Sequence, residues 1–306
     1  MQAFRTQNIL LLAAVLAILV ILPFGAGSYV LGVLTTAFYF AVFAMSWDLL
    51  FGYAGEVNFG PTFLIGLGAY GAGIGNALLG MPLPVAVLFG TASAVIGGVA
   101  LAIPALKLSG PYLGLITLVA VLLLQQAIVI FAGVSGGEIG LSVPSVLSIS
   151  SKINYAYALV FMVVSGAILL TIARSSLGMI LQAAGQDRVA AASLGFDVTR
   201  HKILAFAVSA FFSGLAGALL VFYLGTASVN AVVDLAIGIR VIIAAVMGGR
   251  RTIIGGAIGA IFLIVAAEIL RPLGQLSSFV VAVLALGVIM FFPDGLLGMI
   301  AARRRS

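Results

Sequence analysis

About ten stretches of apolar residues, each close to the length of a membrane-crossing helix, run from one end of this chain to the other. They fall at 9–24, 29–51, 59–80, 83–106, 112–133, 153–173, 202–224, 232–248, 252–270 and 276–292. A bilayer core about 30 Å thick takes a helix of about 20 apolar residues, so each stretch is a candidate span. The 63% hydrophobic content lies well above the roughly 45–50% of soluble domains, and a soluble fold of 306 residues has no place to hide it. The stretches are continuously apolar rather than alternating, which argues against a β-barrel. The expected fold is therefore all-α, a polytopic membrane helical bundle of 8–10 spans, with residues 1–306 forming one integral domain. The chain has no Cys and a single His, His201, which removes disulfides, thiol nucleophiles and cysteine or histidine-rich metal centres from consideration. No catalytic residue, metal site or cofactor is expected within this chain.

Basic residues fix the expected orientation. If the polar block 174–201 is cytoplasmic, alternation of the spans places Arg5, Lys107, Arg174, Arg188, Arg200, Lys202, Arg250, Arg251, Arg303, Arg304 and Arg305 on that side. Lys152 and Arg271 fall outside and Arg240 within a span, which completes the fourteen Lys and Arg of the sequence. The positive-inside rule then predicts N-in and C-in with an even number of crossings. The net charge of +6 is accounted for by this asymmetry, so no nucleic-acid partner is expected. The first segment is too long for a signal-peptide core and is followed at once by more spans, so it reads as uncleaved.

The block between Ala173 and His201 reads like part of a soluble protein, with charges at Arg174, Asp187, Arg188, Asp197 and Arg200. Ser176 to Ala184 favours a short helix, Gly185 permits a sharp turn, and Asp187 is a fair N-cap for a second short helix from Val189 to Leu194. Gly195 suits its C-cap. Two short helices at an angle make a compact knob, and Ala184, Ala190 and Ala191 are small enough to let it seat in a partner's groove. Gln186 lies in the same segment. A plain connecting loop is the alternative, but such a loop needs neither paired caps nor an alanine cluster.

The chain contains no G-x-x-x-x-G-K-[ST] motif, so it does not bind ATP by that route. Ion-coupled carriers usually keep several buried carboxylates or histidines in their spans. The candidate acids here are Asp48 and Glu56 near the inner end and Asp234 and Glu268 near the outer end, with no relay between them. A passive channel or an externally powered permease fits that pattern better than an autonomous pump.

Two stretches carry a specific resemblance. One is Trp47-Asp-Leu-Leu-Phe-Gly-Tyr-Ala-Gly-Glu-Val-Asn-Phe-Gly60, continuing through Pro61 to Tyr70. The other runs from Leu177 through Gln182-Ala-Ala-Gly-Gln-Asp-Arg188 to Gly195, and on through Lys202 to Ala218. Together they resemble the permeases of branched-chain amino acid ABC importers, specifically the LivM-type branch. The resemblance extends from about Ala44 to Gly298, with Ser135–Leu141 similar to the family's outer-loop motif and Phe292–Gly298 to its C-terminal ending. Phe59-Gly-Pro61 departs from the family's Phe-Gly-His, Gly248–Gly256 replaces a typically uncharged turn, and Arg240 is unusual. The resemblance implies import of branched-chain or related amino acids. It also implies a second permease subunit in a heterodimer, two cytoplasmic ATPases that supply the ATP and Mg sites, and an external solute-binding protein. Relatives also carry urea, short amides or aromatic acids. An autonomous channel or facilitator, or a structural membrane subunit without transport, are the rivals from other classes.

On that resemblance the 174–201 knob is the ATPase-coupling region, with Ala184, Gly185, Gln186, Asp187, Ala190, Ala191 and Gly195 as its candidates. Glu56 and Asn58 lie in a Gly-punctuated stretch of the kind that offers free backbone groups to a substrate, or else form a solvated cytoplasmic turn. Arg240 sits midway along its segment, where an Arg costs at least roughly 2.5–3.5 kcal/mol and so should face a polar cavity or a charge. Asp234, six residues away, lies off its helical face. A substrate carboxylate, an acid of another subunit or a structural interhelical bond are the options. The spacings Gly71–Gly75, Gly214–Ala218 and Gly255–Gly259 suit close helix packing.

Overall fold

A computed structural model of the chain describes residues 6–106, 111–274, 276–291 and 295. Arg5, Lys107, Arg303, Arg304, Arg305 and all of the Phe292–Gly298 motif except Gly295 lie outside these residues. The described chain is a helical bundle. Its helices are α1 (Thr6–Ile21), α2 (Ser28–Asp48), α3 (Pro61–Ala77), α4 (Leu83–Ala105), α5 (Pro111–Ile130), α6 (Ala132–Ser135) and α7 (Ser151–Arg174). They continue as α8 (Ser176–Gln186), α9 (Arg188–Ser193), α10 (Val198–Leu224), α11 (Val229–Val232), α12 (Leu235–Gly248), α13 (Ile254–Ile269) and α14 (Leu276–Phe291).

Every apolar segment of the sequence carries a helix, and among the described residues six are long and apolar enough to cross a membrane. They are Ser28–Tyr53, Leu83–Ala105, Tyr112–Ile130, Ser151–Arg174, Val198–Leu224 and Val229–Gly248. Ala14–Phe24 and Ile254–Ile269 are shorter apolar helices. The segment expected to span from residue 59 differs: residues 54–60 are not helical, and α3 begins at Pro61 and has 17 residues. Proline lacks an N–H to donate, so it opens a helix without loss.

Burial sorts the helices. The most apolar windows of the spans beginning at Ser28 and Val198 are 78% and 61% buried, against 33% for those in α5 and α7. Thus α2 and α10 form the centre, and α5 and α7 the periphery. Helices α3, α4 and α10 pack as a trio, while α2 is flanked by α7, α12 and α13. The trio is tight because its contacts are glycine to backbone: a Cβ at Gly68 would stand 2.2 Å from the Gly214 carbonyl oxygen. The same holds where α13 meets α12, since a Cβ at Gly259 would lie 2.0 Å from the Ala244 oxygen. Small residues let apolar helices approach closely where water gives no hydrophobic drive.

The two ends of the bundle differ. One end carries α8 and α9 together with residues 49–60 and 249–253. At the opposite end a two-stranded antiparallel ribbon, β1 (Leu141–Ser142) with β2 (Thr226–Ala227), ties the long loop after α6 to the end of α10.

Candidate functional site

The knob is built by local caps. The Asp187 carboxylate accepts hydrogen bonds from the Val189 and Ala190 amides at 2.8 and 3.0 Å, so it is the N-cap of α9. Asp197 accepts from Arg200 N at 3.0 Å and caps α10 in the same way. Such caps stabilise a helix start by about 1 kcal/mol. Gly195 takes φ +88°, the left-handed conformation that ends a helix at little cost to glycine. The chain does not turn at Gly185, however. Helix α8 continues through Gln186, and the break comes at Asp187, whose φ of −147° is extended.

Alanine plays a different part from the one its size suggests. Ala184 and Ala191 are buried and, with Val198, form the knob's own small core. They hold α8, α9 and the start of α10 together and offer nothing to a partner. Ala190, Gln186 and Asp187 are exposed, as are the larger Val189 (74%), Leu194 (75%) and Phe196 (40%). These last three were missed in the sequence, although an apolar residue on each side of an alanine triplet in a polar block was the available signal.

Gly185 faces inward. A Cβ on it would lie 3.0 Å from the Tyr53 carbonyl oxygen and 3.1 Å from the Ala54 carbonyl carbon. From the other side, a Cβ on Gly55 would lie 3.1 Å from Gly185 Cα. The knob therefore sits backbone to backbone on the residues that follow α2. Beside this contact Lys202, at the start of α10, donates to the Glu56 carboxylate in an ion pair with side chains only 7% and 17% exposed.

The seat itself is unusual. After Asp48 the helix widens into a single π turn, Leu49–Tyr53, a feature often found at functional sites. Asp48 is wholly buried, and its two oxygens accept three backbone N–H groups: Arg251 at 3.1 Å, Thr252 at 3.1 Å and Ile253 at 2.9 Å. The turn wrapped around it is strained. Arg251 has φ +61° and Ile253 has φ +55° with ψ −60°, while Ile254 N reaches back to Thr252 O at 2.6 Å. That is a γ-turn of the rare positive-φ kind, centred on a β-branched residue. Further bonds lock the turn to the π segment: Arg251 Nε donates to Gly52 O at 2.8 Å, and Tyr53 Oη donates to Arg251 O at 2.9 Å. The Arg250 guanidinium lies 4.3 Å above the Phe51 ring, and Phe51 stacks on Trp47.

Residues 54–60 continue from this seat along the bundle. Trp47 Nε1 donates to Asn58 O at 2.7 Å, and the Asn58 side-chain oxygen accepts from Gly60 N at 2.8 Å. Phe59 N donates to Thr117 Oγ1 on α5 at 3.0 Å. Asn58 is thus buried and engaged in shaping the entry to α3, while Phe59 is 42% exposed. Glu56 belongs to the knob's seat and Asn58 to the entry of α3, and Arg240 lies apart from both. It sits on the exposed side of α12 with Ala236 and Ile239, opposite the buried Gly238, which packs on Pro61 and Thr62. Among the described residues no carboxylate pairs with Arg240.

At the opposite end a cavity of about 380 Å³ is lined by Gln125, Gln126 and Val129 of α5, Glu138, and Val229 and Asn230 of α11. Gln125 also donates to Val233 O at 3.1 Å, which joins α5 to the approach to α12. Near Ser28, Tyr29 donates to Glu268, and Arg271 bonds both, at 2.9 Å to Glu268 and 3.2 Å to Tyr29.

A membrane bundle with a capped polar knob seated on its central helix invites comparison with transport proteins. The family described as "Branched-chain amino acid transport system / permease component" matches residues 29–292. The chain belongs to this family. It is 26% identical over 328 aligned positions to the high-affinity branched-chain amino acid transport system permease protein LivM of Salmonella typhimurium strain LT2, covering 95% of this chain and 75% of that protein. The LivM protein of Escherichia coli strain K12 matches to the same extent. No solved structure matches significantly. The LivM-type resemblance of the sequence thus stands, and the chain is a multi-pass membrane protein of a permease family.

Proposed function

We propose that this chain is a transmembrane subunit of an ATP-driven importer that moves branched-chain or related amino acids into the cell across the bacterial cytoplasmic membrane. Residues 1–306 form one permease domain with N-terminus and C-terminus inside, and 174–201 is its coupling region. A second permease completes a heterodimer, two cytoplasmic ATPases bind ATP and Mg, and an external binding protein delivers the solute. The knob takes the motion of an ATPase. Val189, Ala190, Leu194 and Phe196 offer it an exposed apolar surface, with Gln186 and Asp187 on its polar margin.

The observation that carries this reading is the backbone contact of Gly185 with Tyr53–Gly55. A displacement of the knob reaches α2 without an intervening flexible side chain, and from the π turn it reaches the 249–253 turn through Asp48, Arg251 and Tyr53. That turn joins α12 to α13, so the stroke arrives at the helix bearing Arg240. The reading is tested by reconstituting the chain with its partners in proteoliposomes and measuring L-leucine uptake. Uptake that requires ATP, and that disappears when the knob is uncoupled while hydrolysis persists, supports it. Uptake that is indifferent to ATP makes the chain a facilitator and overturns it.

A further inference from the structure

Arg240 is the one described cation that stands deep within a span on an exposed helix face with no carboxylate beside it. It precedes Gly248, at the knob end of α12, by eight residues, or about 12 Å of helix. A bilayer core about 30 Å thick places it near the midplane. There a guanidinium facing lipid is costly, and such residues face a wet cavity or a partner charge. The acids of this chain do not serve it. Asp234 is occupied as the N-cap of α12, accepting from Ala236 N at 2.7 Å. Glu56 is held by Lys202, Asp48 by the 251–253 amides, Glu268 by Arg271, and Asp187 and Asp197 by the helix starts they cap.

Among the described carboxylates Glu138 is the exception, and it lines the polar cavity at the opposite end with Gln125, Gln126 and Asn230. Asn230, on α11, precedes Arg240 by ten residues within the stretch Val229–Gly248, with the break at Val233 and Asp234 between α11 and α12. The span thus opens beside an uncommitted anion and three amides and leads down to an uncommitted guanidinium. An α-amino acid suits the two in turn: Glu138 attracts its ammonium at the mouth, and Arg240 pairs with its carboxylate further along the path.

We infer that Arg240 is the carboxylate-recognition point of the translocation path, so that the path takes amino acids and other carboxylate-bearing solutes and rejects urea and uncharged amides. The inference rests on the permease reading above. The fixed positive charge attracts a carboxylate strongly at this low-dielectric depth, and urea or an amide has no charge to repay the desolvation.

The chain has no cysteine, so Arg240→Cys creates a single thiol on it. The complete transporter bearing this variant is reconstituted and treated with water-soluble methanethiosulfonates carrying either a trimethylammonium or a sulfonate group. The expected result is assembly as in the wild type, L-leucine uptake down at least about tenfold, recovery with the cationic adduct and none with the anionic one. Arg240→Lys is expected to keep most of the uptake. Full uptake by Arg240→Cys, failure of either reagent to react from water, or equal recovery by both adducts overturns the inference. Loss of the second permease from Arg240→Cys, regained in Arg240→Lys, identifies an intersubunit ion pair and overturns it as well. ATP-driven uptake of urea or acetamide by the wild type overturns it while leaving the permease reading intact. If no solute is taken up with ATP, the permease reading itself fails.

Discussion

The sharpest stability prediction concerns Asp48. Its carboxylate accepts three buried backbone N–H bonds of 2.9–3.1 Å from a turn that would otherwise relax from its strained dihedrals. Replacing it by Asn retains one acceptor oxygen, which can keep the Thr252 and Ile253 pair but turns an amide N–H₂ toward Arg251 N. A hydrogen bond to a charged group contributes about 1.5–3 kcal/mol, and the two that remain lose their charge assistance. A total of about 3 kcal/mol corresponds to roughly a hundredfold rise in the opening equilibrium of the turn. Amide hydrogen exchange of a peptide covering 249–256, followed by mass spectrometry on the solubilised transporter, reads that opening directly. The expected result is exchange roughly a hundredfold faster at 251–253, with the α10 core unchanged. Gly52→Ala provides a second route to the same state, because its new Cβ would stand 2.2 Å from Asp48 Oδ1 and must displace the carboxylate. Exchange within about twofold of wild type in both variants would refute the claim that Asp48 holds the turn.

Gly185→Val should leave span packing intact yet abolish ATP-dependent uptake, since its Cβ meets the Tyr53 oxygen at 3.0 Å and the backbone of the seat must shift to admit it. ATPase co-purification together with uptake checks this, and normal uptake would remove Gly185 from the coupling route. Lys202→Met should cost about 3–5 kcal/mol of stability by stranding Glu56, while Lys202→Met with Glu56→Gln should recover much of the loss; thermal denaturation of the two single variants and the double variant measures the coupling. A cysteine at exposed Ser176 should be labelled only from the cytoplasm and one at exposed Ser142 only from outside. Labelling of Ser176→Cys from outside would reverse the orientation and remove the knob from the ATPase.

What the sequence reveals about this molecule divides along contact distance. The helical segments follow from apolar length, and the Asp187 cap follows from a residue and amides two and three positions away. Those interactions are local, so composition and spacing carry them. Gly185 reads as a turn residue in its own neighbourhood because nothing nearby reveals Tyr53–Gly55 against it. Ala184 and Ala191 read as a docking surface because their burial depends on Val198, which arrives with the next helix. Asp48 reads as a stray inner-end acid, yet its donors lie 203 to 205 residues along the chain. Lys202 counts as one more topology anchor in a charge tally, although folding buries it against Glu56. The departures around Gly248–Gly256 were visible; their consequence required the turn to be seen closed on Asp48.

The three links along the route from knob to α12 are not mechanically equivalent, and this shapes the proposed stroke. Two glycine backbones in contact, as at Gly55 and Gly185, resist compression but offer nothing against separation, since dispersion falls away within an ångström. The Glu56–Lys202 pair resists separation, and removing either charge leaves the other stranded in a largely buried site. Asp48 resists separation too, because pulling the 249–253 turn away breaks three hydrogen bonds at once. On the permease reading, an inward push by an ATPase is carried by the glycine contact to the π turn, whereas the return stroke depends on Lys202 and Asp48. The strain at Ile253 adds a bias. A positive-φ γ-turn costs on the order of 1–3 kcal/mol and persists only while its surroundings enforce it. The turn between α12 and α13 is consequently loaded in this conformation, and any movement that frees Asp48 lets it relax. On the permease reading, α12 then shifts with Arg240 on it, which gives the knob a route to the depth at which a solute carboxylate would be held.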